Sequence, residues 1–380
     1  MKKLLAGAVT AAMVLAGCSS PSANGDTIRV GANFELSGAV SSYGSAELEG
    51  VKLAVKEINA AGGVLGKQIE LVEMDNKSDQ AEVTSVATRL ATQEGVVAIV
   101  GPATSGNAKA AIAVANQTGV PILTPSATAD DVTSDAAGNV QQFAFRNCFQ
   151  DSFQGQVMAK FASENLNAKT AAIIADNSSD YGKGLAKEFA AAFPGTIVVE
   201  ESFSDADKDF SAIITKLKDQ EFDVLFIPGY YGQAGLIIKQ ARAAGITAPI
   251  IGGDGFDSPE LVNLAGTDAL TDVYFSAHFS TLNEDTKVTD FIQAFEAEYN
   301  KKPNAFNALA YDAVYMIKDA IERAGSADAA AVNDALAQTS NFPAVTGVIS
   351  IDSNHNAVKS ATVIKLENGQ EVSATTVDVD

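Results

Sequence analysis

Along this chain, short apolar runs alternate with longer stretches whose apolar residues recur at helical spacing. Thr27–Phe34 (TIRVGANF) predicts a first strand. Glu35–Ser45 reads as a loop. Ala46–Ala61 reads as a helix with Leu48, Val51, Val55 and Ile58 on one face, stopped by Gly62-Gly63. A strand over Gln68–Asp75 and a helix over Gln80–Gln93 follow. Val96–Val100 is a compact apolar run, Asn107–Thr118 an alanine-rich helix closed by Gly119, and Pro121-Ile122-Leu123 the next strand. A helix over Phe149–Asn165 leads into a second series. It has strands at Thr170–Asp176, Thr196–Ser202, Val224–Ile227 and Pro249–Gly252, with helices at Gly184–Phe193, Phe210–Lys218 and Gln233–Ala244 between them. Val273–Ser276 is a further strand. Val288–Tyr299, Phe306–Ala324 and Ala327–Gln338 are helices, and Gly347–Ile351 and Ala361–Leu366 are late strands. Strand–helix alternation of this kind builds parallel sheets covered on both faces. The fold class expected is α/β, with two doubly wound parallel-sheet lobes.

The second series echoes the first in spacing. The loop Pro102–Ser105 corresponds to Pro228–Tyr231, and Pro125–Thr128 to Gly253–Phe256. All four follow strands, and open parallel sheets bind ligands at strand carboxyl ends. The first two loops consist of small, uncharged residues. Ser105 stands where a helix N-terminus exposes free N–H groups, which suits a carboxylate. Taken singly, Ser105 and Thr128 also read as helix caps.

Composition narrows the partners. The 380 residues carry a formal net charge of −21, which excludes nucleic acid as a partner because phosphates need Lys and Arg. Lys2 and Lys3 precede an apolar run, Leu4–Ala16, too short for a permanent membrane span. It ends in Leu15-Ala16-Gly17-Cys18, which resembles the lipobox of bacterial lipoproteins. That implies a signal peptide over 1–17, cleavage before Cys18 and lipid on its sulfur and new amine, and hence an anchor to the membrane from outside the cytoplasm. The tract 18–26 is small and polar, as a flexible tether is. Cys148 is the other cysteine, so no intrachain disulfide is expected, and Cys148 is read as a buried thiol.

Catalytic and metal signatures are missing. The chain has no P-loop, G-x-G-x-x-G, H-E-x-x-H or G-x-S-x-G. Its two histidines, His278 and His355, stand far apart without paired cysteines. Asp205, Asp207 and Asp209 alternate as in a calcium loop, but Phe210 and Lys216 occupy the positions that need Gly and Glu. No catalytic residue, metal or cofactor is expected. A two-lobed hydrolase would need a nucleophile with its base, and neither histidine is placed for that.

A family resemblance runs from Thr27 to about Leu366. Phe34-Glu35-Leu36-Ser37-Gly38 with Tyr43-Gly44, then Ala54–Gly63 (AVKEINAAGG), is similar to the opening of leucine/isoleucine/valine-binding proteins. Gly101–Gly106 (GPATSG) with Pro125–Ala129 (PSATA) resembles the family's amino-acid clamp. Asp180–Gly184, Pro228–Tyr231, Gly252–Gly255 and Ala305–Asp312 follow in the family's order. The resemblance implies a type I periplasmic-binding-protein fold. Its three-crossing hinge would divide the chain into an N-terminal lobe, 27–147 with 279–351, and a C-terminal lobe, 148–278 with 352–380. It also implies a free branched-chain L-amino acid (leucine, isoleucine or valine) as ligand, with the permease and ATPase subunits of an ABC importer as partners. A monomer is expected.

Carried over residue by residue, Ser105 and Thr128 would hold the ligand carboxylate. The Ser126 carbonyl and the Asp254 carboxylate would accept from its ammonium, Ala127 belongs to the same clamp, and Tyr43, Tyr181, Tyr230 and Phe306 would wall the site. Asp254 stands where relatives often carry Glu, one methylene longer. Taken by themselves, Tyr181 and Tyr230 also read as surface aromatics, Phe306 as helix core and Asp254 as turn chemistry. Other small ligands on the same fold, or a sensory receptor domain, are the alternative readings.

Overall fold

The computed structural model describes residues 27–377. The leader expected over 1–17, the tether over 18–26 and Cys18 lie outside the described residues.

The first sheet joins β1 (Thr27–Phe34), β2 (Gln68–Asp75), β3 (Ala98–Val100), β4 (Ile122–Thr124) and β5 (Ala144–Arg146). The order is β2-β1-β3-β4-β5, and every neighbouring pair is parallel. The crossovers are α1 (Ser41–Ala60), α2 (Gln80–Thr92) and α3 (Ser105–Thr118). The two-residue period of a strand sorts the side chains. Ile28, Val30, Ala32 and Phe34 of β1 face a core with α1, while Ile99 of β3 points the other way, into a core with α2 and α3.

The second sheet repeats the plan. After α4 (Asp151–Lys160) come β6 (Thr170–Asp176), α5 (Asp180–Ala192), β7 (Thr196–Phe203), α6 (Ser211–Lys218), β8 (Val224–Ile227), α7 (Tyr231–Ala243), β9 (Ile250–Gly252), α8 (Pro259–Ala265) and β10 (Val273–Ala277). The order β7-β6-β8-β9-β10 is the first sheet's order again, and these pairs are also parallel. Along β8, Leu225 and Ile227 enter one core while Val224 and Phe226 enter the other.

The chain then returns to the first sheet through α9 (Thr286–Tyr299), α10 (Ala305–Ala324) and α11 (Ala329–Ala337). A capping box between Asn304 and Asn307 starts α10, and Gly325 in the left-handed conformation ends it. The helix lies along α1 and completes the core under Phe34 with Ala313, Val314 and Ile317. A small antiparallel sheet of β11 (Phe342–Ala344), β12 (Gly347–Ile351) and β13 (Ala357–Val358) follows.

Finally β14 (Ala361–Glu367) and β15 (Gln370–Val377) join the second sheet beside β10. Both are antiparallel to their neighbours, so only the first sheet is parallel throughout. The cause is local. Asn368 and Gly369, both with positive φ, make the two-residue turn of a hairpin, and no helix intervenes. The chain passes between the sheets after β5, after β10, and between Val358 and Ala361. That last passage lies beyond the expected 351/352 boundary, because β13 still pairs with β12.

The helices that carry residues of the strand-end region start earlier than their apolar spacing predicts: α1 at Ser41, α3 at Ser105, α5 at Asp180 and α7 at Tyr231. Their first turns carry Ser, Gly and Tyr in place of aliphatic residues. α1, α3 and α5 bring these turns to the gap between the sheets.

Candidate functional site

The loop after β3 is set by two features of its sequence. Gly101 has φ +93°, and a Cβ there would lie 2.4 Å from the Asn33 carbonyl oxygen, so only glycine fits. The buried Glu35 carboxylate then accepts four hydrogen bonds: from the N–H groups of Ala103 (3.0 Å) and Thr104 (3.2 Å), the Thr104 hydroxyl (2.9 Å) and the Asn107 amide (2.8 Å). With its hydroxyl held by Glu35, Thr104 does not cap α3, and no side chain does. The Ser105 hydroxyl accepts the Ala129 N–H at 3.1 Å and ties the loops after β3 and β4 together.

All four strand-end loops meet in one cavity. Ala103, Thr104 and Ser105 come from the loop after β3, Ser126 from that after β4, Tyr230 from that after β8, and Asp254 and Gly255 from that after β9. Tyr43 of α1, Tyr181 of α5 and Phe306 of α10 close the sides. No Lys or Arg lines the cavity. Its volume is about 10 Å³, room for about one water.

The walls are aromatic. Tyr43 stacks on Phe306 with centroids 4.4 Å apart, and Tyr181 lies parallel to Tyr230 at 5.1 Å. The hydroxyls of Tyr43 and Tyr181 are engaged elsewhere. That of Tyr43 donates to the Gly255 carbonyl and accepts the Tyr231 N–H at 3.1 Å, linking the two halves, and that of Tyr181 accepts the Gly255 N–H at 3.1 Å. More links between the halves lie nearby. Asp257 accepts the Ala305 N–H at 2.8 Å, Ser42 and Ser258 share a bond of 2.8 Å, and Lys109 bridges Asp131 and Asp180, each at 2.8 Å.

Two of the nine expected residues are not on the cavity. The Ala127 carbonyl accepts from Arg146 (3.1 Å) and lies 3.4 Å from the Cys148 sulfur. The Thr128 carbonyl accepts the Asp151 N–H at the start of α4 (2.8 Å). Both residues belong to the loop's inner side. There the buried Arg146 guanidinium holds the carbonyls of Ala127, Ala129 and Asp130 at 2.8–3.2 Å and the Asn356 side chain at 2.7 Å. Cys148 is a buried free thiol, pushed up to about 12 by burial.

Asp254 is the one carboxylate among the residues that line the cavity. Asp254 opens a short turn after β9 and is 3% exposed. Its Oδ2 lies 3.3 Å from His278 Nε2, and its Oδ1 has no hydrogen-bond partner. Behind Ser126, the buried Glu47 carboxyl is lifted well above its ordinary range, first by burial and also by nearby Glu35, against the pull of its bond to Ser126. The Ser126 hydroxyl has two acceptors within reach, Glu47 Oε1 and the Ala103 carbonyl at 2.9 Å, and donates to one of them at a time. Asp151 is likewise lifted by burial and by Asp254, while Gln154 and Thr128 oppose the shift. The His278 Nδ1 atom bonds to nothing, so no hydroxyl or thiol is arranged on that ring as a nucleophile. Among the described residues, no group of three His, Cys, Asp or Glu is placed to hold a metal.

Sequence reasoning missed Glu35, Glu47, Arg146 and His278 as parts of this site. Their partners lie 16 to 210 positions away, and no local spacing announces them. The deletion of charge from the loops was the only signal, and it marked the loops and not their supports.

Two sheets of one strand order, with their carboxyl-end loops closed on a common cavity, define a two-lobed binding fold. Comparison with known proteins names it. Residues 27–371 match the model of a family described as periplasmic binding protein. A Leu/Ile/Val-binding protein of Rhizobium johnstonii, BraC3, is 36% identical over 372 residues, covering 96% of this chain and 98% of that one. A leucine-, isoleucine-, valine-, threonine- and alanine-binding protein of Pseudomonas aeruginosa is 34% identical over 345 residues, 90% of each chain. Among solved structures, the branched-chain amino acid transporter substrate-binding protein LivJ of Streptococcus pneumoniae, in complex with isoleucine, aligns with a TM-score of 0.89. It is 47% identical, over 92% of this chain and 99% of that one. The leucine-binding protein LivK of Thermotoga maritima aligns with a TM-score of 0.85 at 34% identity, over 92% and 98%. The chain belongs to the periplasmic binding protein family, in its leucine/isoleucine/valine-binding group.

Proposed function

We propose that this chain is the extracytoplasmic substrate-binding component of an ATP-driven importer, and that it carries a branched-chain amino acid to the permease. One observation supports this most: of the buried carboxylate oxygens without a partner, on Glu47, Asp151 and Asp254, only Asp254 Oδ1 belongs to a residue that lines the cavity, where it stands among uncharged donors and aromatic walls. A free amino acid completes that arrangement. Its ammonium meets Asp254 and the Ser126 carbonyl, its carboxylate meets the uncapped start of α3 at Ser105 with Thr128 behind, and its aliphatic tail meets Tyr43, Tyr181, Tyr230 and Phe306. Ala127 keeps the loop close to these groups.

The cavity in its closed form is far smaller than the several hundred Å³ of an ordinary ligand site. Entry therefore requires the two halves, each a sheet with its helices, to part about the three chain passages. Cleavage before Cys18 and lipidation there would keep the monomeric carrier at the outer face of the membrane, next to the permease and its ATPase subunits.

Thermal shift over the amino acids, followed by titration calorimetry, tests the reading. The largest stabilisation is expected from leucine, isoleucine or valine. A panel in which glutamate or lysine stabilises most would overturn it. Mass spectrometry of the membrane-extracted protein, expected to show a diacylated Cys18 at the N-terminus, tests the anchor.

A further inference from the structure

The carboxylate that marks the cavity is held by a residue of the same half. His278 follows the last residue of β10, where the chain leaves the second sheet. Its side chain is 1% exposed. The ring stacks on Phe149, centroids 3.6 Å apart and 23° between planes, so its orientation is fixed by packing. Nε2 lies 3.3 Å from Asp254 Oδ2. A carboxylate accepts only, so the hydrogen of the ring sits on Nε2 and points at Asp254, which leaves Nδ1 bare and without a partner. Asp254 is fixed from a second side, because its backbone N–H donates to Gln154 Oε1 at 3.2 Å. The consequence is a carboxylate with one oxygen bonded and the other, Oδ1, unpartnered at the cavity wall.

We infer that His278 is a positioning residue for ammonium recognition: its ring N–H pins one oxygen of Asp254 and so presents the other to the α-ammonium of the ligand. The inference rests on the reading of the cavity as an amino-acid site. Histidine suits the role better than lysine or arginine. Burial pushes the imidazole down to about 4, with Lys359 adding to the effect and Asp254 opposing it, so the ring is neutral near pH 7. A neutral donor orients Asp254 without cancelling its charge. A cation at the same place would compete with the ligand's own ammonium. The side chain thus sets a preference for ammonium over an uncharged group at the ligand's α-carbon.

The test compares L-leucine with its α-hydroxy counterpart, 2-hydroxy-4-methylpentanoate, by titration calorimetry on the full chain. The α-hydroxy acid keeps the carboxylate and tail and lacks the ammonium. His278→Phe preserves the stack on Phe149 and removes the donor. His278→Gln restores an N–H of similar reach. The Kd for leucine is expected to rise about 10- to 100-fold in His278→Phe, as for a lost hydrogen bond to a charged group. The Kd for the α-hydroxy acid should change by less than about threefold, and His278→Gln should recover most of the loss for leucine. Equal weakening of both ligands, or unchanged leucine binding in His278→Phe, would overturn the inference. Wild-type protein that binds no branched-chain amino acid would instead overturn the reading of the cavity. If that protein binds another amino acid, the same pair of variants is judged with that acid and its α-hydroxy counterpart. Circular dichroism melts of both variants identify any that fail to fold, and His278→Gln then decides alone: it must bind leucine within about tenfold of wild type and keep the wild-type preference over the α-hydroxy acid.

Discussion

Replacing Glu35 by glutamine exchanges one oxygen for an NH₂ group and should undo the loop that starts α3. Of its two oxygens, Oε1 accepts three bonds, from the Thr104 N–H, the Thr104 hydroxyl and Asn107, and Oε2 accepts one, from Ala103. The glutamine side chain keeps one acceptor oxygen. Placed at Oε1, it turns its NH₂ group toward the Ala103 N–H, donor against donor. Ala103 is buried, so that N–H loses its partner at a cost of about 1–3 kcal/mol. The three surviving bonds pass from charged to neutral acceptors and lose about 0.5–1.5 kcal/mol each. Relief from burying a charge offsets part of the sum, and a net loss of about 2–4 kcal/mol is expected. The assay is calorimetric melting of wild type and Glu35→Gln at neutral pH, with a fall in Tm of about 5 °C or more. Leucine affinity should fall too, because the uncapped turn at Ser105 is no longer fixed. A variant that melts within about 1 °C of wild type and binds leucine equally well would refute the reasoning.

Asp254→Ala should weaken leucine binding by about 2–5 kcal/mol, read by titration calorimetry, and an unchanged Kd would remove Asp254 from the site. Burial, with Glu371 and Asp254 adding to it and the Ala305 N–H opposing it, raises Asp257 to about 7. The folded chain therefore holds this proton over the range from about 4 to 7, where the unfolded chain has released it, and stability contributed by the group falls as pH rises through that window. Asp257→Asn should show a flatter Tm between pH 5 and pH 7 than wild type, and parallel curves would count against it. Lys109→Ala removes a half-exposed bridge between α3 and α5, and should cost less than about 1 kcal/mol and fade in high salt, measured by denaturant titration.

The regular parts of the fold were legible from local pattern. β1, β6 and β8 have the bounds their apolar runs predict, since a buried strand is announced by its own residues, and the half-exposed edge strand β2 keeps its expected bounds too. The early starts of α1 and α7 were not legible, because Tyr43 and Tyr231 sit in first turns whose partners lie across the gap, and that of α5 was not because Tyr181 in its first turn bonds Gly255, 74 positions later. The closing hairpin did carry a sequence signal, Asn368-Gly369, which went unread among late strands assumed to be parallel. For the cavity, the uncharged strand-end loops were visible in sequence. The charged groups beneath them were not. Arg146 next to an apolar strand, or Glu35 after Phe34, gives no hint of the backbone groups it will hold.

The core under Phe34 has a bearing on biosynthesis. Its first members lie in β1 and its last in α10, α11, β12 and β13, almost the full length of the chain later. The second sheet, too, gains its outer strands only from the final residues. Neither half can complete its core while the C-terminal part is still on the ribosome. Apolar surface on β1 and α1 stays uncovered until then, which favours slow, high-contact-order assembly and a need for protection during synthesis. A nascent chain released before Ala305 would lack one whole side of the first core.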